Sequence, residues 1–159
     1  MGKVEAIVRG LVPRFGTGPA AGFFDSSGDF EFVTMFSNMR LAVCFNRILG
    51  TTDAGGLLAT VAVYQKDVLG YDLAKADAAG DTLYVLQGRD ENGMRTLRPS
   101  GATVRLGTDS PVLLHPDCEE LLRELRADPR PTGDVIGRYC IRDGGRGFRT
   151  SYGGYHTLR

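Results

Sequence analysis

Asp81-Thr82-Leu83-Tyr84-Val85-Leu86-Gln87-Gly88, followed at once by Arg89-Asp90-Glu91-Asn92-Gly93, is the stretch on which the fold reading turns. Leu83 to Gln87 is dense in β-formers, and the Asn92-Gly93 pair supplies the positive-φ residues that a tight hairpin needs. The sequence therefore predicts a strand that turns back on itself. Downstream, Met94 to Leu97 and Ala102-Thr103-Val104-Arg105-Leu106 read as further strands joined across Pro99-Ser100-Gly101. One helix interrupts them. Pro116 and the acids Asp117, Glu119 and Glu120 suit a first turn, where the orphan amides and the positive dipole end lie. Cys118, Leu121, Leu122 and Leu125 then recur at the spacing of one apolar stripe, and Pro129 closes the element. The helix is expected near residues 116–128, and Val135-Ile136-Gly137-Arg138-Tyr139-Cys140-Ile141 is expected to return as a last strand.

Upstream, the same reading gives more strands. Val4, Ala6 and Val8 alternate with Glu5, Ile7 and Arg9, the period of a strand. Gly10 to Gly22 holds Pro13, Gly16, Gly18 and Pro19 and reads as a loop. Phe23-Phe24, the turn Asp25-Ser26-Ser27-Gly28 and Asp29 to Phe36 read as a hairpin, with Phe30 and Phe32 on one face. Arg40 to Phe45 and Leu57 to Tyr64 are apolar runs expected as strands. Asp72 to Ala79 reads as a turn or two of helix stopped by Gly80. Many short strands, Gly-rich turns and one late helix together predict a mainly β fold, a small closed or partly open β-barrel. The expected organisation is a barrel over 1–143 and a Gly/Arg/Tyr-rich segment over 144–159.

Composition bounds the rest. The 159 residues fit one domain, which at that length needs no disulfide or metal staple. Hydrophobic residues at 42% and charged residues at 24% exclude wholesale disorder, and 22 glycines favour a turn-rich chain. Nineteen basic and 19 acidic side chains cancel, so net charge draws the chain to neither nucleic acid nor membrane. Cys44, Cys118 and Cys140 are odd in number and widely spaced, which predicts free buried thiols and a cytoplasmic protein. No run approaches the ~20 apolar residues of a membrane span, and the N-terminus lacks a signal peptide's apolar core.

The chemical motifs are sparse. His115, Cys118, Cys140 and His156 have zinc-compatible atoms, but the second pair is too far apart for the usual paired ligands, and Cys118 belongs to an apolar stripe. Neither histidine accompanies a nucleophile elbow. Asp117, Glu119 and Glu120 are accounted for by their place at a helix start. The Gly-rich stretches 133–137 and 144–147 open no helical pattern, and no Gly-x-x-x-x-Gly-Lys-Ser/Thr occurs. No catalytic, cofactor-binding or metal residue is therefore assigned. From Arg138 to Arg159 five arginines face one acid, Asp143. Arg138, Tyr139, Arg142, Arg146, Phe148, Arg149 and Tyr152 form the candidate surface. Arginine beside aromatics suits a protein interface, a single nucleic-acid strand, or a plain barrel edge with its tail.

Residues 82–141 carry a resemblance. The strand Leu83 to Gly88, the segment Pro99-Ser100-Gly101-Ala102-Thr103-Val104, the helix Cys118 to Arg126 and Gly133-Asp134-Val135-Ile136-Gly137-Arg138 resemble the second half of a HAS barrel. This is the N-terminal domain of HerA-like DNA translocase ATPases. The resemblance implies a hexameric ring whose barrels form a non-catalytic collar. Such a collar would dock a nuclease or effector and meet DNA only indirectly, in DNA-end processing or anti-phage defence. The Gly10–Gly28 region is longer than that pattern requires, and no residue of this chain matches a catalytic position. The alternative expectation is a small barrel that binds single-stranded nucleic acid through its Arg/aromatic C-terminal segment.

Overall fold

The computed structural model describes residues 2–45, 54–87, 89–90, 93–94 and 115–140. A helical run opens the chain: α1 (Lys3–Ala6), a π turn (Ile7–Leu11) and α2 (Val12–Phe15). Then come β1 (Ala21–Phe24), a 3-10 turn (Ser27–Asp29), α3 (Phe30–Thr34) and β2 (Leu41–Phe45). Next are α4 (Ala54–Tyr64), a second π turn (Gln65–Leu69), α5 (Leu73–Ala78) and β3 (Leu83–Gln87). The hairpin β4 (Arg89–Asp90) and β5 (Gly93–Met94), then α6 (Pro116–Ala127) and α7 (Thr132–Tyr139), complete the described elements.

The fold is mixed α/β, not mainly β. β1, β2 and β3 form an open three-stranded sheet in that order, parallel throughout. Phe23 lies level with Val43, and Val43 with Val85. Parallel neighbours need long crossovers, and the helices between the strands provide them. The barrel expectation is overturned by this open sheet and by the helices.

Four segments expected as strands are helical. Residues 4–8 belong to the opening helical run, where a Glu5–Arg9 ion pair at 3.0 Å bridges one turn. Asp29 to Phe36 becomes the 3-10 turn and α3, with Phe30 and Val33 buried three residues apart. Leu57 to Tyr64 lies in α4, and Val135 to Tyr139 in α7. The expected loop 10–22 instead ends the first helical run and starts β1.

α4 explains the largest error. Between Gly55 and Tyr64 every residue except the half-buried Val63 is buried. A helix apolar on all sides has no stripe, so its sequence looks like a buried strand. Its one hydroxyl in mid-helix, Thr60 Oγ1, donates to the Gly56 carbonyl at 2.9 Å. α4 lies against β3, α6 and α7, and one sheet face closes on it. Phe24, Ala42, Cys44, Tyr84 and Leu86 join Leu57, Leu58, Val61 and Tyr64 in a single core.

Other expectations agree with the structure. The strands at 41–45 and 83–87 and the helix from Pro116 are present. The hairpin differs from the one expected: strand 83–87 does not turn back on itself but pairs parallel with β2, and Arg89–Asp90, expected within the turn, pairs antiparallel with Gly93–Met94 in a separate sheet. α5 stops where Gly80 takes φ +65°, a conformation that glycine adopts without a Cβ penalty. Cys44, Cys118 and Cys140 are free and buried. Among the described residues no helix is long and apolar enough to cross a membrane.

Candidate functional site

The described molecule offers two features with chemical or binding potential, at opposite extremes of polarity. The first is a polar knot beside the start of β3. Gln65, fully buried at the end of α4, donates from Nε2 to the Thr82 carbonyl (2.9 Å) and the Thr132 hydroxyl (3.0 Å). Its Oε1 accepts from the Tyr84 amide at 2.7 Å. One side chain thus fastens the α4 region to β3 and to the start of α7. Tyr64 adds a second fastening: its hydroxyl donates to the Arg130 carbonyl and accepts from the Arg130 amide, both at 2.7 Å.

Beside this knot is a cleft of about 320 Å³, lined in part by Thr34, Arg40, Asp77, Asp81, Tyr84 and Gly133. Arg40 Nε donates to Asp77 Oδ1 at 2.8 Å, and its Nη2 holds the other oxygen, a two-point pairing at the rim. Burial raises the pKa of Asp81 above its usual value, against hydrogen bonds from Thr132, the Thr82 backbone and Gln65 that favour its charged form. Burial also raises that of Tyr71, helped by the Asp81 charge and by Tyr64. The cleft opens before the first residues of β2 and β3. Open α/β sheets bind ligands at the opposite, carboxyl ends of their strands. The Asp81 side chain is hydrogen-bonded with Thr132, the Thr82 backbone and Gln65, all members of the knot, so the cleft reads as the outer face of a fastening.

At the carboxyl end of β1, the turn Asp25 to Asp29 carries a buried acid, Asp29, paired with Lys3 of α1. That ion pair anchors the N-terminal helical run to the body. The segments following β2 and β3, at 46–53 and 95–114, lie outside the described residues.

The second feature is apolar. Residues 3–15 form a continuous helical run in which no residue is buried. Val8, Leu11 and Phe15 are 41%, 48% and 64% exposed, and Val4, Ile7 and Val12 are half-buried. Phe23 on the edge strand β1 is 63% exposed, with its ring stacked on Phe45 at 6.0 Å. Large exposed apolar side chains gathered along one element mark interaction surfaces. Reading 4–8 as a strand concealed this feature. The signal was available in the i, i+4 spacing of Val4, Val8 and Val12, and of Ile7, Leu11 and Phe15.

Of the sequence-derived candidate surface, two residues are described. Arg138 is exposed on α7. Tyr139 is half-buried and donates its hydroxyl to Glu124 Oε2 of α6 at 3.0 Å, and burial and that carboxylate raise its pKa. Tyr139 therefore works as a clasp between two helices. Arg142, Arg146, Phe148, Arg149 and Tyr152 lie outside the described residues, as does His156. Cys118 Sγ lies 3.8 Å from the Gly56 carbonyl in the core, directed at α4. Cys140 is buried, which pushes its thiol up to about 11, helped by the Glu31 charge. No group of three or more His, Cys, Asp or Glu suited to a metal occurs among the described residues.

Comparison with protein-family models, curated proteins and solved structures finds no match for the chain.

Proposed function

We propose that this chain is a non-catalytic assembly module that works by presenting its N-terminal helical run to another polypeptide. The observation that carries this reading is the run 3–15, which has an apolar side but buries none of its residues. A helix of that length is marginal in water unless something packs on it. Gly10 and Pro13 within it weaken it further. The polar cleft supports chemistry less well, because Asp81, Gln65 and Thr132 are engaged with one another.

This keeps the docking role expected from the HerA-like resemblance and drops the barrel that was to perform it. The return strand of that pattern, Gly133 to Arg138, is part of α7 here. Its Pro99–Val104 segment lies outside the described residues. Hydrogen exchange on the dilute protein tests the reading. Amides of residues 4–15 should exchange far faster than those of α4. Protection of 4–15 in a dilute monomer would mean that the chain covers its own stripe, and the reading would fail.

A further inference from the structure

The cleft beside the polar knot has a lining that selects one kind of ligand. Its volume of about 320 Å³ is at the low end for small-molecule sites, which run from roughly 300 Å³ upward. Its walls come from the end of α3, the segment before β2, α5 with the residues leading into β3, and α7. Thr34, Arg40, Asp77, Asp81 and Thr82 are among its polar residues.

A hydroxyl has one proton to donate and two lone pairs to offer. Thr34 Oγ1 donates to the Phe30 carbonyl, and Thr82 Oγ1 donates to the Met39 carbonyl, each at 2.7 Å. What either hydroxyl has left for a ligand is therefore lone pairs. Arg40 is the one cation of the lining, and Asp77 already holds it at two points. Asp81 has no such counter-charge. Its partners Thr132, the Thr82 backbone and Gln65 are neutral, and among the described residues no Lys, Arg or His pairs with it. A carboxylate accepts about four hydrogen bonds, so three partners leave room for another. The lining thus combines one engaged cation, two acids and hydroxyls that can only accept.

We infer that this cleft is a binding site for a small organic cation rich in N–H donors, a primary alkylammonium or alkylguanidinium. Its head group donates to Asp81, Thr34 and Thr82, and its stem lies against the apolar wall of Phe36, Met39 and Ile136. An anion would meet two carboxylates and an arginine that is already taken. Burial disfavours the charge on Asp81, and a cation beside it restores the charged form. The cleft adjoins both the approach to β3 and α7, so an occupant adds a link across the junction that Gln65 fastens. None of these groups belongs to the N-terminal run, so the site stands or falls apart from the docking reading.

The whole chain, titrated with n-butylammonium chloride at neutral pH and followed by amide NMR, tests the site. The amides of Thr34, Arg40, Asp81, Tyr84 and Gly133 should shift together and saturate. Half-saturation should fall on the order of 1 mM for so small a ligand. Butyltrimethylammonium has the same charge and no N–H, and should bind at least tenfold more weakly. Butyrate should leave those amides in place. Arg40→Met releases Asp77 as a further acceptor and should tighten n-butylammonium binding, whereas mere damage to a wall would loosen it. Thr34→Val should weaken binding several-fold, and Asp81→Asn at least tenfold. Asp81 also belongs to the knot, so Arg40→Met and Thr34→Val decide the matter if Asp81→Asn fails to fold. Equal affinity for butyltrimethylammonium, saturable shifts with butyrate, or unchanged or weaker binding by Arg40→Met would each overturn the proposal. So would unaltered affinity in Thr34→Val, or a wild type that shows no saturation up to about 20 mM.

Discussion

The N-terminal run 3–15 and α4 are two helical segments of similar length and similar apolar content, with opposite fates. α4 disappears into the core, where Leu57, Leu58, Val61 and Tyr64 are fully enclosed. The run 3–15 buries nothing and is tied to the body by the pairing of Lys3 with Asp29. The difference lies in pattern. α4 between Gly55 and Tyr64 has no charged residue, so no side of it gains from water. The N-terminal run has Lys3, Glu5, Arg9 and Arg14 outside its apolar rows, so one side must remain wet. An all-apolar helix is a core element, and a striped helix that leaves Val8, Leu11 and Phe15 exposed is an interface element.

The contrast can be broken most directly by truncation. Leu58→Ala should cost about 2–5 kcal/mol by chemical denaturation, through lost burial and the cavity left behind. Leu11→Ala in the dilute protein should cost less than about 0.5 kcal/mol, as for an exposed site. Equal costs would show that the N-terminal stripe is packed in the monomer.

Gln65→Ala comes next. It strands the Tyr84 amide and the Thr82 carbonyl at the base of β3, and should cost about 2–3 kcal/mol for buried partners left unsatisfied. The loss should be read in faster exchange of β3 and α7, with residues 4–15 unchanged.

Asp81 gives the polar knot a pH signature. Its folded pKa lies above the unfolded value of 3.8, so its contribution to stability is fully present below that pH. The contribution is lost as pH rises through the folded pKa, where the partly buried carboxylate ionises. Asp81→Asn removes this loss. The melting temperature of the variant minus that of the wild type should therefore become more positive between pH 3 and pH 7. A constant difference would mean that Asp81 titrates alike in both states.

The smallest effect should be a gain. A Cβ at Gly137 on the exposed side of α7 meets nothing within 4 Å, and the backbone there is helical. Gly137→Ala should stabilise by about 0.5–1 kcal/mol in urea melts. By contrast, a Cβ at Gly22 would lie 2.9 Å from the Phe32 ring, so Gly22→Ala should destabilise. A loss at Gly137 would show that α7 is not helical in solution.

Much local structure was legible. The helix from Pro116 carried its proline, its acids and its stripe together, and all four stripe residues are buried. The strands at 41–45 and 83–87 were legible from apolar β-formers, and α5 from its Gly80 stop. The candidate site was legible only in part. Tyr139 was singled out as surface, but its hydroxyl is committed to Glu124. The polar knot was invisible, because Gln65, Thr82 and Thr132 come together only through the fold.

Sequence by itself determined where apolar and polar residues alternate, where glycine and proline punctuate the chain, and that its thiols are hidden. Tertiary structure alone decided that Leu57 to Tyr64 is a central helix, that the strands run parallel, and which apolar side chains of the N-terminal run stay exposed. The reason is that burial on every side erases periodicity. A residue surrounded by core pays no attention to period two or period 3.6, so only the arrangement of its neighbours selects between strand and helix.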